Sequence, residues 1–154
     1  MRYIIAWLID WPARIASHFA WLAPLVARIC VGWVFLWSGW GKLNNLSVVI
    51  ENFVGWGIPY SEFMAPFVSA VEFVCGLLLL LGLFTRLAAA PLAIVMIVAI
   101  RSALWEEVDS LETLLGFSEF AYLAIFLWLA IAGPGAFSLD HLLQRWNKGK
   151  AGGF

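Results

Sequence analysis

Long apolar runs, broken by short polar stretches, set the rhythm of the chain. Four of them, at about residues 22–42, 63–84, 87–105 and 117–132, stand out. A bilayer core of about 30 Å takes roughly 20 mainly apolar residues per helix. The fourth run is the shortest and suits a thin or tilted crossing. None alternates with a strict period of two, so strands are a poor reading. In lipid the backbone must satisfy its own hydrogen bonds, and a helix does so within one segment. The pattern predicts an all-α fold: a four-helix transmembrane bundle over residues 20–143. An interfacial amphipathic segment, residues 1–19, precedes it, and a cytoplasmic tail, residues 144–154, follows.

The first segment reads differently from the spans. Asp10, Arg14, Ser17 and His18 fall on one helical face, and Ile4, Trp7, Leu8, Trp11 and Ile15 on the other. That pattern predicts a helix lying in the membrane interface, with the two indoles at headgroup depth. Pro12 is expected to bend or restart it. The apolar core, Tyr3 to Ile9, is short and interrupted by Asp10, which argues against a signal peptide. His18 is read as a solvated polar-face residue.

Between the spans, Leu83-Phe84-Thr85-Arg86 predicts a very tight turn. The longer link, residues 43–63, predicts a short helix at Val48 to Trp56, ended by the Gly57-Ile58-Pro59 turn. The acidic link Trp105 to Gly116 is expected to be partly helical. Both links are read as structural cover, with a lid over an outward-facing pocket as the alternative.

Composition agrees with lipid as the solvent. The chain has 154 residues, of which 64% are hydrophobic and 12% charged, more apolar surface than a soluble domain this size can hide. A net charge of −1 without a basic patch argues against nucleic-acid binding. With four spans, both termini share a side with Arg2, Arg14, Arg86, Arg145, Lys148 and Lys150. The other side carries Lys42 and Arg101 among the acids Glu51, Glu62, Glu106, Glu107, Asp109 and Glu112. Lys and Arg gather on the cytoplasmic side, so both termini are expected there; in a bacterium the other face would be periplasmic. Trp37, Trp40, Trp56 and Trp105 fall near the opposite boundary, where an indole is favoured.

Charges inside the spans are the candidate chemistry, because they are costly in lipid and usually face a bundle interior or a wet cavity. Arg28, Gly32, Phe35, Gly39 and Lys42 form one stripe on the first span. Glu72, Gly76, Leu79, Leu83 and Arg86 form another on the second. On the third, Leu87, Ile94, Val98 and Arg101 share a stripe; on the fourth, Glu119, Tyr122, Phe126 and Gly133 do. At 1.5 Å per residue, Glu72 lies roughly 12–14 Å inside the outer boundary, within reach of a long side chain. Lys42, Glu72, Arg101 and Glu119 are therefore expected to form one charge-neutral polar cluster in the outer half. Arg28 sits deeper, with Glu72 as the one partner it can share. A purely structural clasp is the alternative to a functional cavity.

Phe35 to Leu43, FLWSGWGKL, followed by ENFVGWGIPYSEFMAP, resembles the first half of the DoxX family of small bacterial membrane proteins. Ser69 to Ala89, SAVEFVCGLLLLLGLFTRLAA, and Gly133 to Asp140, GPGAFSLD, extend the likeness over about residues 28–143. The resemblance implies a four-helix membrane protein. Its namesakes are linked to thiosulfate:quinone oxidoreductase or terminal quinol oxidase complexes, and others to redox stress. By position, Arg28, Lys42, Glu72 and Arg86 match the family's recurrent charged residues, with no catalytic role attached. On residue chemistry alone, Gly133 and Pro134 end a helix and Ser138 caps a short one at Leu139 to Trp146.

Cys30 and Cys75 are the only cysteines. They fall at similar depths on neighbouring spans, yet both are read as buried small hydrophobes. His18 and His141 flank the bundle, and metal-ligand spacing is absent, so no metal site is expected. A quinone remains as the candidate cofactor. Trp37, Trp40, Trp105, Tyr122 and Phe126 are the expected pocket wall, with Glu72 and Arg101 at the carbonyls. The function expected is an accessory or quinone-interacting subunit of a membrane oxidoreductase system, with a redox partner subunit or a second copy as partners. The alternatives are a non-catalytic scaffold, packing through Gly32, Gly39 and Gly76, and a small-molecule transporter. A faint echo supports two related hairpins: Arg28 and Arg86, Lys42 and Arg101, and Gly76 and Gly133 recur at 57 to 59 residues.

Overall fold

The computed structural model describes residues 2–151, with side chains for residues 7–146. Eight α-helices follow one another among them, with no strand. They are α1 (Arg2–His18), α2 (Leu22–Asn44), α3 (Leu46–Gly55) and α4 (Ser61–Leu81). Then come α5 (Thr85–Ala99), α6 (Leu111–Gly116), α7 (Ser118–Ala132) and α8 (Leu139–Ala151). A π-helical turn, Ile100–Leu104, and a 3-10 turn, Trp105–Glu107, continue α5. Three stretches are long and apolar enough to cross a membrane: Leu22–Asn44, Ser61–Leu81 and Thr85–Glu107. The apolar α7, at 15 residues, completes the bundle as its short fourth member.

Small residues decide how these helices meet. Lipid solvates Leu and Ile as well as a protein core does, so membrane helices associate by close van der Waals packing rather than by hydrophobic burial. A Cβ on Gly39 would lie 2.3 Å from the Phe73 backbone nitrogen, and one on Gly76 would lie 2.5 Å from that of Leu36. Gly32 faces Gly76 and Leu80 in the same seam, so α2 and α4 touch backbone to backbone. The chain fills these glycine notches itself, which removes them as a docking face for a second subunit. On α5 the buried face is Ala88, Ala89, Leu92, Ala93 and Met96. This corrects the third stripe: Leu87, Ile94 and Val98 are exposed. Phe35 joins the two halves, with its ring edge-on to Tyr122 at 5.4 Å and to Phe126 at 4.9 Å.

The end of the bundle that carries α1 and α8 is tied by the stretch after α7. Gly82, in the left-handed conformation at φ 65°, closes α4, and Leu83 N–H returns to the Leu78 carbonyl at 2.9 Å. Asp140 then caps α5 from α8: its carboxylate accepts from Phe84 N–H at 2.7 Å and Thr85 N–H at 3.0 Å. Ser138 caps α8 by accepting from His141 N–H at 3.1 Å. At the far end, hereafter the distal end, α3 packs Val49 and Phe53 on Ala65. It stops where Gly57 turns left-handed at φ 69°.

The N-terminal helix runs through Pro12 without a break. From Trp7 to Phe19 every residue of this segment is exposed, and Trp7 stacks on Trp11 at 5.8 Å. Ile4 lies outside the described side chains. Ser17 Oγ donates to the Arg14 carbonyl at 2.7 Å, and His18 Nδ1 lies 2.7 Å from the same oxygen.

Candidate functional site

The backbone contact at Gly39 has a chemical consequence one residue away. It sets α2 so close to Phe73 that the short Ser38 side chain reaches the carboxylate of Glu72. Ser38 Oγ donates to Glu72 Oε2 at 2.8 Å. Lys42, one helical turn on, donates from Nζ to Glu72 Oε1 at 2.5 Å. Both carboxylate oxygens thus have a partner, which a buried carboxylate requires. Glu72 is 1% exposed and the Lys42 side chain 36%. The pair has one closed end and one open end, and Lys42 is the open one.

The other charged candidates lie elsewhere. Arg101 is exposed and sits over the Trp105 ring, 5.5 Å from its centroid. It continues the exposed side of α5, that of Leu87, Ile94 and Val98, away from the buried face of Ala88, Ala89, Leu92, Ala93 and Met96. Glu119 is half-buried and accepts from Ser118 Oγ at 3.0 Å. Neither joins Lys42 and Glu72, so the four-residue cluster reduces to a pair with Ser38. Arg28 does not share Glu72 either. Helical side chains lean toward the helix N-terminus, and on α2 that direction leads to the end carrying both termini. There Arg28 Nη2 donates to the Phe137 carbonyl, and the guanidinium packs on Gly82. Arg86 is exposed, with its guanidinium against Gly133.

The expected pocket wall also separates. Trp37, Trp40 and Trp105 are half exposed on the outside of the bundle. Phe126 is 0% exposed, and Tyr122 packs on Phe35 beside it. Rings buried in the core and rings facing lipid do not wall one slot. Trp40 is the member nearest the ion pair in sequence; its ring lies 5.7 Å from that of Phe73, the residue after Glu72. The cysteines part as well, since Cys75 is buried whereas Cys30 is exposed, and both are free thiols.

Two participants escaped sequence reasoning. Ser38 is one turn before Lys42, and that i, i+4 spacing was the available signal. Asp140 gave none, because its partners are main-chain N–H groups 55 and 56 residues away.

Residues 23–105, from α2 to the start of the 3-10 turn, match the family model described as DoxX. The chain belongs to the DoxX family. The matched region holds Lys42, Glu72, Arg28 and Arg86. Among DoxX-like relatives, the "Inner membrane protein YqjF" of Escherichia coli is 36% identical over 79% of this chain and 92% of its own length. The "Uncharacterized membrane protein Rv3486" of Mycobacterium tuberculosis is 35% identical, over 77% of this chain and 79% of its own. The Bacillus subtilis protein named "Putative oxidoreductase CatD" is 30% identical, over 82% and 91%. No solved structure matches this DoxX chain.

Proposed function

We propose that this DoxX membrane protein is an accessory, quinone-interacting subunit of an oxidoreductase system in a bacterial inner membrane. The observation that carries the reading is the Lys42–Glu72 pair, a buried carboxylate reached through a half-exposed ammonium. A quinone headgroup needs a hydrogen-bond donor for its carbonyl oxygen and an apolar flank for its ring and tail. Lys42 has three N–H donors and spends one on Glu72, so its donor set fits that oxygen. Trp40 and Phe73 supply aromatic surface beside it. The quinone supplies two-electron, two-proton chemistry when bound. In this reading, Lys42 holds the carbonyl oxygen and Glu72 keeps a carboxylate within reach of the accompanying proton. A partner subunit with a redox centre supplies or takes the electrons. The oxidoreductase name of one relative points the same way.

The proposed orientation puts both termini in the cytoplasm, beside Arg2, Arg14, Arg86, Arg145, Lys148 and Lys150. Lys42 then opens toward the outer leaflet. A photoreactive azidoquinone tests the reading. Adducts should map to the ends of α2 and α4 that carry Lys42 and Glu72, and excess unlabelled quinone should compete them away. Labelling spread evenly over lipid-facing residues counts against it.

A further inference from the structure

Arg28 is 1% exposed, yet most of its hydrogen-bonding capacity is unused. Nη2 donates to the Phe137 carbonyl, whereas Nε and Nη1 meet no partner among the described residues. The hydroxyl of Thr85, a fully buried residue, has none either. These atoms belong to one locus. Gly82 carries the guanidinium, since a Cβ there would fall 1.6 Å from Nη1. The Gly82 carbonyl accepts from Asp140 N–H at 3.0 Å, and the Asp140 carboxylate accepts from Thr85 N–H at 3.0 Å. Buried donors without acceptors are costly, above all on a charged group, so these atoms require a partner.

The surrounding chain has already committed its acceptors. The Leu78 and Leu79 carbonyls accept from Leu83 and Gly82 N–H, and the Gly135 carbonyl accepts from Ser138 Oγ. Both Asp140 oxygens accept from backbone N–H groups. The Asp140 charge nevertheless acts on Arg28 through space. The guanidinium therefore lacks short-range acceptors rather than a counterion, and Asp140 repels any further anion. A neutral species that both accepts and donates suits Arg28 and Thr85 together. Water does so, and buried waters make about three bonds to otherwise unsatisfied groups. Residues 133–138 close over the place as a strap. A Cβ on Gly135 would lie 2.5 Å from Pro24 Cγ, and the Phe137 ring lies 4.9 Å from that of Trp21. We propose that a sequestered water sits beneath this strap, accepting from Arg28 and bonded to the Thr85 hydroxyl. It joins α2 to α5 where the strap crosses them. This inference is independent of the quinone reading, which concerns the distal end.

Two measurements on the full chain in detergent test it. X-ray radiolysis makes hydroxyl radicals from bound water in place, so a side chain touching that water is oxidised where bulk radicals do not reach. Arg28 should be oxidised under X-rays and spared by radicals generated in bulk from peroxide. Thr85→Val should cut the X-ray oxidation severalfold. The same isosteric substitution should raise the unfolding equilibrium constant about 2–10-fold, for one lost hydrogen bond. Replacing chloride by gluconate should change neither result. Absence of X-ray oxidation at Arg28 overturns the proposal. So does a Thr85→Val variant as stable as wild type or more so, the outcome for an idle buried hydroxyl. Wild-type stability that depends on chloride would assign an anion to the site and overturns it equally.

Discussion

Lys42 and Glu72 lie on different helices, 30 residues apart, with 2.5 Å between ammonium and carboxylate. The pair exists because glycine lets the helices touch beside it. A Cβ at Gly39 would fall 2.8 Å from the Ser69 carbonyl oxygen and 2.7 Å from Phe73 Cα. Close packing and polar chemistry are thus one feature of the α2–α4 seam.

The two members of the pair should respond unequally to substitution. Lys42→Met strands a carboxylate that is 1% exposed, whereas Glu72→Gln leaves Lys42 its open side. Removing one partner of a buried pair costs about 3–5 kcal/mol. An amide keeps one oxygen to accept from Lys42 and can donate its NH2 to the Ser38 hydroxyl oxygen, so Glu72→Gln should cost about 1 kcal/mol. Unfolding by SDS titration in mixed micelles measures both. Glu72→Gln proving the costlier would contradict the burial argument.

Alanine at the helix seam should separate tight glycines from idle ones. Gly39→Ala and Gly76→Ala place a methyl against backbone atoms, which cannot rotate away. Each should cost about 3 kcal/mol, the upper end of ordinary overpacking, or prevent folding. Gly41→Ala meets nothing within 4 Å and should leave stability unchanged or slightly improved. Melting temperatures in one detergent compare the three.

The spans were legible in the sequence because lipid imposes length and apolarity on any crossing helix. The inward faces of α2 and α4 were legible because glycine and charge share a stripe there. The face of α5 was not, because Leu87, Ile94 and Val98 meet lipid while Ala88, Ala89, Leu92, Ala93 and Met96 pack inward. Periodicity marks two faces on such a helix without saying which one is buried. That ambiguity misplaced Arg101 in the polar cluster. The partner of Arg28 was hidden for another reason: it is the main-chain carbonyl of Phe137, 109 residues on.

Asp140 should act as a remote helix cap. Asp140→Ala leaves Phe84 and Thr85 N–H without their acceptor at the start of α5. Loss of a capping side chain costs about 0.5–2 kcal/mol. Hydrogen exchange should speed at Phe84 and Thr85 and at the first turn of α8. Protection unchanged at the α4–α5 turn would show that the cap contributes little.

Acid should loosen the short helix α6 locally. The Thr113 hydroxyl donates to Asp109 and holds its carboxyl below the ordinary aspartate value. A depressed folded-state pKa gives stability that is present above the unfolded value and lost as pH falls through the folded one. Amides of Leu111–Gly116 should therefore lose protection as pH drops below the ordinary carboxylate range. Thr113→Val should weaken that pH dependence, because Thr113 is the largest cause and Ser110 and backbone N–H groups supply the rest. Identical pH profiles for variant and wild type would contradict the assignment.

The central claim is that the Lys42–Glu72 site holds a quinone headgroup. The most direct measurement is equilibrium binding of a short-tailed quinone analogue, followed by quenching of tryptophan fluorescence. Wild type is compared with the charge-free Lys42→Met/Glu72→Leu pair, which leaves no orphan charge and should fold. A hydrogen bond from a charged donor is worth about 1.5–3 kcal/mol, so the double variant should bind roughly 10–100-fold more weakly. Saturable binding in wild type with that loss is the predicted result. Binding that does not saturate, or that is equally tight in both proteins, contradicts it.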